Sequence, residues 1–292
     1  MSLVTIGIPV YNEEKYLERT IQSAINQELK DIDIVISDNA STDKSVEIIK
    51  KYCAVDKRIK PIYKERNTGP IANWHSLLEN TTTKYFVTLG AHDLFLPHYI
   101  GEAVAFLESH PDFVMAYPKA ILIDGNDQEM GPSDSDIDTT GLTIRRRMIK
   151  TAANLSWCTC IYGVFRTDIL RILPTLQIRG GDHLILFAAA YHGQIHFMQK
   201  LGILRREWRQ ETPEMVEKRR IKAGNYDETE SRLFNSWAVM AVEHVMFVLK
   251  RTCLPLFHKI TLAFSVVFTF RLRLGISVSS MIFAYLHRKQ AE

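Results

Sequence analysis

An α/β fold with a mostly parallel central sheet flanked by helices is predicted by three observations. Apolar runs of strand length alternate with stretches of helical period from residue 3 to about 118. The polar motifs fall at the ends of the strand-like runs, where such sheets bind ligands. The composition, 46% hydrophobic and 24% charged over 292 residues, fits one large globular domain or one domain with an appendage, and excludes disordered and low-complexity classes.

The predicted strands are Val4 to Pro9, Ile32 to Ser37, Ile59 to Tyr63, Tyr85 to Leu89 and Phe113 to Tyr117, each β-branched or aromatic and bounded by turn residues. Between them, Glu13 to Asn26 puts Leu17, Ile21, Ala24 and Ile25 on one helical face. Lys44 to Tyr52 follows a Ser-Thr-Asp cluster suited to capping a helix, and Tyr99 to Leu107 repeats the pattern after Pro97. Residues 124 to 143, rich in Asp, Gly, Ser and Thr, read as a mobile loop. Strand and helix signals resume from Met148 to His196, and the charge-mixed stretch from 209 to 227 reads as a solvated loop or a lid.

A helix is expected from Glu230 to Leu249, with Leu233, Trp237, Met240, Val245 and Val248 near helical spacing. Two apolar segments follow Pro255, Ile260 to Phe270 and Leu274 to Leu286, separated by Arg271 and Arg273. Both fall short of the roughly 18 residues of a spanning helix. Residues 250 to 292 carry seven Lys or Arg against Glu292 alone, so the net charge of +3 hides an acidic body and a basic tail. That pairing of apolar faces with cations fits helices lying on an anionic membrane surface, the alternatives being packing on the main domain or an oligomer contact. The small net charge gives no reason to expect a nucleic-acid partner.

Four cysteines without a CxxC pair form neither a disulfide framework nor a zinc knuckle, so a reducing, cytoplasmic compartment is expected. The opening MSLVTIGIPVYNEE lacks a basic stretch before its apolar run and is expected to be a buried strand rather than a secretory signal. No GxGxxG follows the first strand and no GxxxxGK[ST] occurs, so neither a dinucleotide turn nor a P-loop is supported. A sugar nucleotidyltransferase is disfavoured because its Gly-rich N-terminal loop is missing.

Carboxylates and amides occupy the strand ends instead. Asp38 could accept a hydrogen bond from a ligand's ring N–H or merely cap the following helix, and Asn67 and Gly69 could shape a turn. Asp93 can bind a hard divalent cation if the ligand supplies more oxygens, as a diphosphate would. Asp182, after Gly180 and Gly181 and before an apolar helix, can cap that helix and, as an ionised carboxylate, act as a general base.

In order, PVYNEEKYLERTIQSAINQ, IVISDNASTDKSVEII, ERNTGPIANW and KYFVTLGAHDLFLP resemble the N-terminal half of family 2 inverting glycosyltransferases, which have the A-type glycosyltransferase fold, a Rossmann-like parallel sheet between helices. The resemblance continues more weakly to about residue 210 through YGVFR and GGDHLILFAAAYHG. It implies a nucleotide-sugar-binding and catalytic domain over residues 1–228, followed by a helical extension over 229–292. It also implies that Pro9, Tyr11 and Glu13 line the nucleoside pocket, that Asp38 reads the base, and that the Arg66, Asn67 and Gly69 turn closes over it. Asp93 matches the last carboxylate of the family's D-x-D motif, which holds Mn²⁺ or Mg²⁺ on the donor diphosphate, with His92 beside it. Asp182 matches the catalytic base. Arg206 and Arg209 are candidates for the diphosphate or an anionic acceptor, with a plain surface role as the alternative.

The motif is reduced, since Gly90, Ala91 and His92 stand where the family carries further carboxylates. The implied activity is inverting transfer of a hexose, from a UDP-sugar by family habit, to a glycan or lipid-linked saccharide at the cytoplasmic membrane face. A fold-retaining protein without turnover is the alternative, and a homo-oligomer is compatible with either.

Overall fold

The computed structural model describes residues 2–133, 137–154, 158–174, 181–207, 236–274 and 281. The expected residues 209–227, Arg209, Gly180, Leu233 and nearly all of the segment Leu274 to Leu286 lie outside them, as does the side chain of Trp237.

Strands β1 (Val4–Val10), β2 (Ile32–Asp38), β3 (Ile59–Tyr63) and β4 (Tyr85–Thr88) are parallel in the order β3-β2-β1-β4. Both faces of such a sheet are covered, which is why β1 and β2 are almost continuously apolar and buried. Helices α1 (Leu17–Ile25), α2 (Ser45–Val55) and α3 (Pro70–Glu79) make the crossovers. The chain winds outward from β1 to β3 and then returns to β1's other side as β4, which creates a topological switch point at the carboxyl ends of β1 and β4.

The rest of the sheet is mixed. After the two-residue β5 (Leu94–Phe95) and α4 (Tyr99–Ser109) comes β6 (Phe113–Ile123), paired antiparallel with β7 (Glu129–Pro132) and parallel with β9 (Gln194–Arg206). β8 (Val164–Arg166) inserts antiparallel between β4 and β6, and β5 pairs with the end of β9. Helices α5 (Ile144–Asn154), α6 (Thr167–Ile172), α7 (Gly181–His192), α8 (Ser236–Arg251) and α9 (Leu256–Leu274) complete the order, with one 3-10 turn at Thr159–Tyr162.

Two expectations are corrected and one element is added. The stretch 124 to 143 is not simply a loop: it opens with a tight turn in which the Asp124 carboxylate accepts from the N–H groups of Asn126 and Gln128, and β7 follows. Residues 70–79, assigned to no element from sequence, form α3, started by Gly69 at φ 83° and Pro70 in the first turn. Arg271 and Arg273 do not divide the C-terminal segment, because arginine is a good helix former and α9 runs through both.

Two apolar cores sit on either side of the sheet. One joins β1, β2, β4, α1 and α4. The other surrounds α7, whose residues from His183 to Ala190 are buried on all sides, and it includes Met240, Val248, Leu262, Val266 and Phe270 from α8 and α9. The C-terminal helices therefore share one core with α5 and α7. Arg147 of α5 ties this layer together by donating to the carbonyls of Ala190 and Tyr191 at the end of α7.

His244 of α8 is wholly enclosed, donates Nδ1–H to the Met240 carbonyl at 2.7 Å and packs on Phe187 and Phe270. Burial pushes its pKa down to about 3, against an ordinary 6.5. The unfolded chain thus takes up a proton that the native state refuses, so this group leaves stability untouched above pH 6.5 and lowers it as pH falls from 6.5 towards 3. His244→Leu is expected to abolish that component: between pH 7 and pH 4.5 the unfolding free energy of the wild type, from urea titrations, should fall by about 2–3 kcal/mol more than that of the variant.

Candidate functional site

The site is built where parallel strands end. β2 terminates in Asp38, which is 2% exposed. Its Oδ2 accepts from the Ser41 N–H at 3.1 Å, whereas its Oδ1 is buried with no hydrogen-bond partner. A buried acceptor left open costs about 1–3 kcal/mol, so a donor brought to Oδ1 would be stabilising. The neighbouring Asn39 is fully employed: its amide donates to Asn67 and to the Gly69 carbonyl, and its Oδ1 accepts from the backbone and hydroxyl of Thr68. Asn67 also accepts from the Gly69 N–H at 2.8 Å. Asn67 and Gly69 therefore fix a turn tied to Asn39, the residue after Asp38, with Arg66 exposed on it.

On the other side of β1, Asp93 is fully buried. Its Oδ1 accepts from the Arg206 N–H at 2.7 Å, and its backbone is pinned by the Thr20 hydroxyl and by the Gly90 carbonyl. Oδ2 has no hydrogen bond of normal geometry, although the buried Tyr162 hydroxyl stands beside it. Burial and, next, the Asp93 charge hold the Tyr162 phenol well above its ordinary pKa. A Cβ on Gly90 would come within 2.6 Å of Asp93 Oδ2 and 3.0 Å of the Tyr162 hydroxyl, so only glycine lets the carboxylate and the phenol sit this close to the backbone. A single, oriented, unsatisfied carboxylate oxygen fits a hard divalent cation whose remaining ligands come from a diphosphate and water.

Pro9 lies in β1 opposite Ser37 of β2, and Tyr11 follows the strand. Glu13 Oε1 sits 3.0 Å from His92 Nδ1, which links the loop after β1 to the loop carrying Asp93. Asp182 lies in the first turn of α7, half-buried, with Oδ1 accepting from the His183 N–H. Burial and then the Asp182 carboxylate raise the pKa values of Cys158 and Cys160, and Asp182 and Asp93 both act on Tyr162. The charges of both candidate carboxylates are therefore felt by one phenol.

Arg206 has a different job from the one expected of it. Its guanidinium is 0% exposed and donates to the carbonyls of His92 and Asp124, pairs with Asp127 and lies 4.4 Å from the Tyr16 ring. It braces the Asp93 loop from behind and has no surface to offer a diphosphate. Arg205 is the half-buried cation beside the site, donating to Thr159 at 2.9 Å and acting on Cys158 and Tyr162. Arg209 lies outside the described residues.

Sequence reasoning missed Tyr162, Arg205, Asp127 and the environment of Asp182. Only YGVFR hinted at Tyr162, and nothing local linked residues 158–162 to 182. Arg206→Met should destabilise the fold by about 1.5–3 kcal/mol, the range for hydrogen bonds to a charged group, as measured by urea denaturation; no change would mean that the brace carries no energy.

The comparisons with known proteins agree with this geometry. The sequence model described as Glycosyl transferase family 2 matches residues 5–171, more than half of the chain. An uncharacterized glycosyltransferase of Methanocaldococcus jannaschii is 36% identical over 126 residues, 42% of this chain and 43% of that one. Across three curated relatives the matches span 43%, 56% and 33% of the relatives' own length. Among solved structures, S. aureus TarS 1-349 in complex with UDP-GlcNAc superposes with a TM-score of 0.68 at 19% identity, covering 97% of this chain and 79% of that one. A mannosyltransferase from Pyrobaculum calidifontis, in complex with GDP-Man and Mn²⁺, gives 0.55 at 14% identity, covering 99% and 80%. These two likenesses establish the A-type glycosyltransferase fold.

Proposed function

The chain belongs to glycosyl transferase family 2, and from that membership we propose that it moves a hexose from a nucleoside-diphosphate donor to an acceptor hydroxyl with inversion at the anomeric carbon. The observation that carries this reading is the pair of buried, half-satisfied carboxylates on either side of β1: Asp38 with Oδ1 open and Asp93 with Oδ2 open. Asp38 accepts from the base N–H, under the turn held by Asn67 and Gly69. Pro9, Tyr11 and Glu13 line the nucleoside, and Arg66 closes over it. UDP is the favoured nucleotide, in keeping with the UDP-GlcNAc complex of the TarS structure.

Asp93 would hold Mn²⁺ or Mg²⁺, and the cation supplies positive charge against the phosphate oxygens of the leaving nucleotide. His92, fixed by Glu13, orients that loop, and Arg206 holds it in place from within the core. Arg205 adds a donor at the edge of the site. Asp182 takes the proton from the acceptor hydroxyl as that oxygen attacks the anomeric carbon from the face opposite the nucleotide. The acceptor is a glycan or a lipid-linked saccharide, and residues 1–228 carry the chemistry while 229–292 form the extension.

Three measurements test this. Calorimetric titration with UDP, GDP and dTDP should give Mn²⁺-dependent binding of one nucleotide, weakened tenfold or more in Asp38→Ala and losing its metal dependence in Asp93→Ala. Binding of none of them by the folded protein would favour a fold-retaining protein without turnover. Asp182→Asn should keep nucleotide affinity and lose about 10²–10⁴ in kcat, the usual contribution of a general base; a product of retained anomeric configuration, read by NMR, would refute inversion.

The protein also works against the cytoplasmic face of an anionic membrane. Among the described residues no helix is long and apolar enough to cross a membrane. One face of α9 nonetheless exposes Phe257, Ile260, Phe264, Phe268 and Leu272, the helix contains no acidic residue, and Lys250, Arg251 and Arg271 are exposed on or near it. The other face packs into the core, so truncation would damage the fold, and point substitutions are the better test. Phe264→Ser with Phe268→Ser should reduce co-sedimentation with phosphatidylglycerol vesicles severalfold without lowering Tm, and binding should weaken with salt. Unchanged partitioning would mean that this face is covered by protein.

A further inference from the structure

We propose that Cys158, Asp182 and His183 form a zinc site, distinct from the hard-cation position at Asp93, and that zinc bound there switches the enzyme off by taking Asp182 out of service. The thiol sulfur, a carboxylate oxygen and a ring nitrogen all lie within 4.8 Å of one another. Cys158 and His183 are almost fully buried and Asp182 is half-buried, so the cluster sits at the edge of the core with Asp182 on its accessible side. Small side-chain rotations bring such donors to the 2.0–2.3 Å bonds that Zn²⁺ makes with O, N and S ligands.

The donor set decides the metal. Sulfur and imidazole select Zn²⁺ over Mg²⁺ and Mn²⁺, whereas the lone carboxylate at Asp93 suits a hard cation with phosphate oxygens. Three protein ligands leave a fourth position for water, the arrangement of an accessible zinc site rather than a closed structural one. The three residues meet only through tertiary packing. Cys158 leads into the 3-10 turn with an uncommon left-handed backbone, φ 52°, while Asp182 and His183 open α7. Binding releases the thiol proton as the sulfur becomes a thiolate ligand. A carboxylate committed to Zn²⁺ cannot accept a proton from an acceptor hydroxyl, which is the inhibitory half of the proposal. That half rests on the reading of Asp182 as the base; the binding half does not.

The test is metal binding by the full-length chain in excess Mg²⁺, read by competition with a chromophoric chelator and by Co²⁺ substitution. One Zn²⁺ per chain is expected, with a thiolate-to-cobalt charge-transfer band in the wild type. Affinity should fall tenfold or more in Cys158→Ser and in His183→Gln and be unchanged in Cys253→Ser, whose thiol is exposed. Absence of the cobalt band from the wild-type protein overturns the site whether or not the variants fold. With a turning-over enzyme, micromolar Zn²⁺ should inhibit and chelation should restore activity; zinc occupancy without inhibition would overturn the regulatory half. Zinc bound by a protein with no transferase activity would count against the catalytic reading and leave the site standing.

Discussion

The Arg206 guanidinium, with no exposed surface, is the joint on which the site depends. Its partners come from three separate places: the His92 carbonyl in the loop after β4, Asp124 and Asp127 in the turn after β6, and the Tyr16 ring ahead of α1. Its own backbone N–H holds Asp93 Oδ1. A buried cation is tolerable only when its donors are satisfied, and here satisfying them forces four chain segments into one arrangement. Arg19, from α1, pairs with the same Asp127, so the charge is shared between one enclosed and one exposed guanidinium. The loop carrying Asp93 is therefore set by the core rather than by its own sequence.

Against that rigid background the open oxygens of Asp38 and Asp93 stand out. Each carboxylate has one oxygen held by a backbone N–H, which fixes the side chain; the other is without a partner in Asp38 and faces the Tyr162 hydroxyl in Asp93. Stability alone would favour a partner for both. On the proposed reading, acceptors held ready in this way would need little reorganisation when a charged guest arrives. Gly90 leaves room for the Asp93 carboxylate beside the backbone.

The α7 layer couples this chemistry to the C-terminal helices. Asp182 and His183 open a helix that is buried on nearly every side, between α5 and α8. Because α8 and α9 complete that core, the C-terminal region supports the position of Asp182 as well as offering an apolar face outward. His244 lies in the same layer, enclosed beside Phe187.

The periodic part of the fold was legible in the sequence: β1 to β4 agree with the predicted runs to within a residue, and for β1 and β2 the reason is that a strand buried on both faces must be an apolar run. The strand-end positions of Asp38 and Asp93 were legible for the same reason. What the sequence did not carry were contacts made across more than a hundred residues, Arg206 to Asp93 among them, and those between elements with no shared period, such as Cys158 with Asp182. An arginine in a strand reads as a surface cation until its five donors are seen to be enclosed. Local physics fixed which residues stand at the strand ends; only packing decided which of their atoms were left open, since satisfaction of a buried polar group is a property of its whole surroundings.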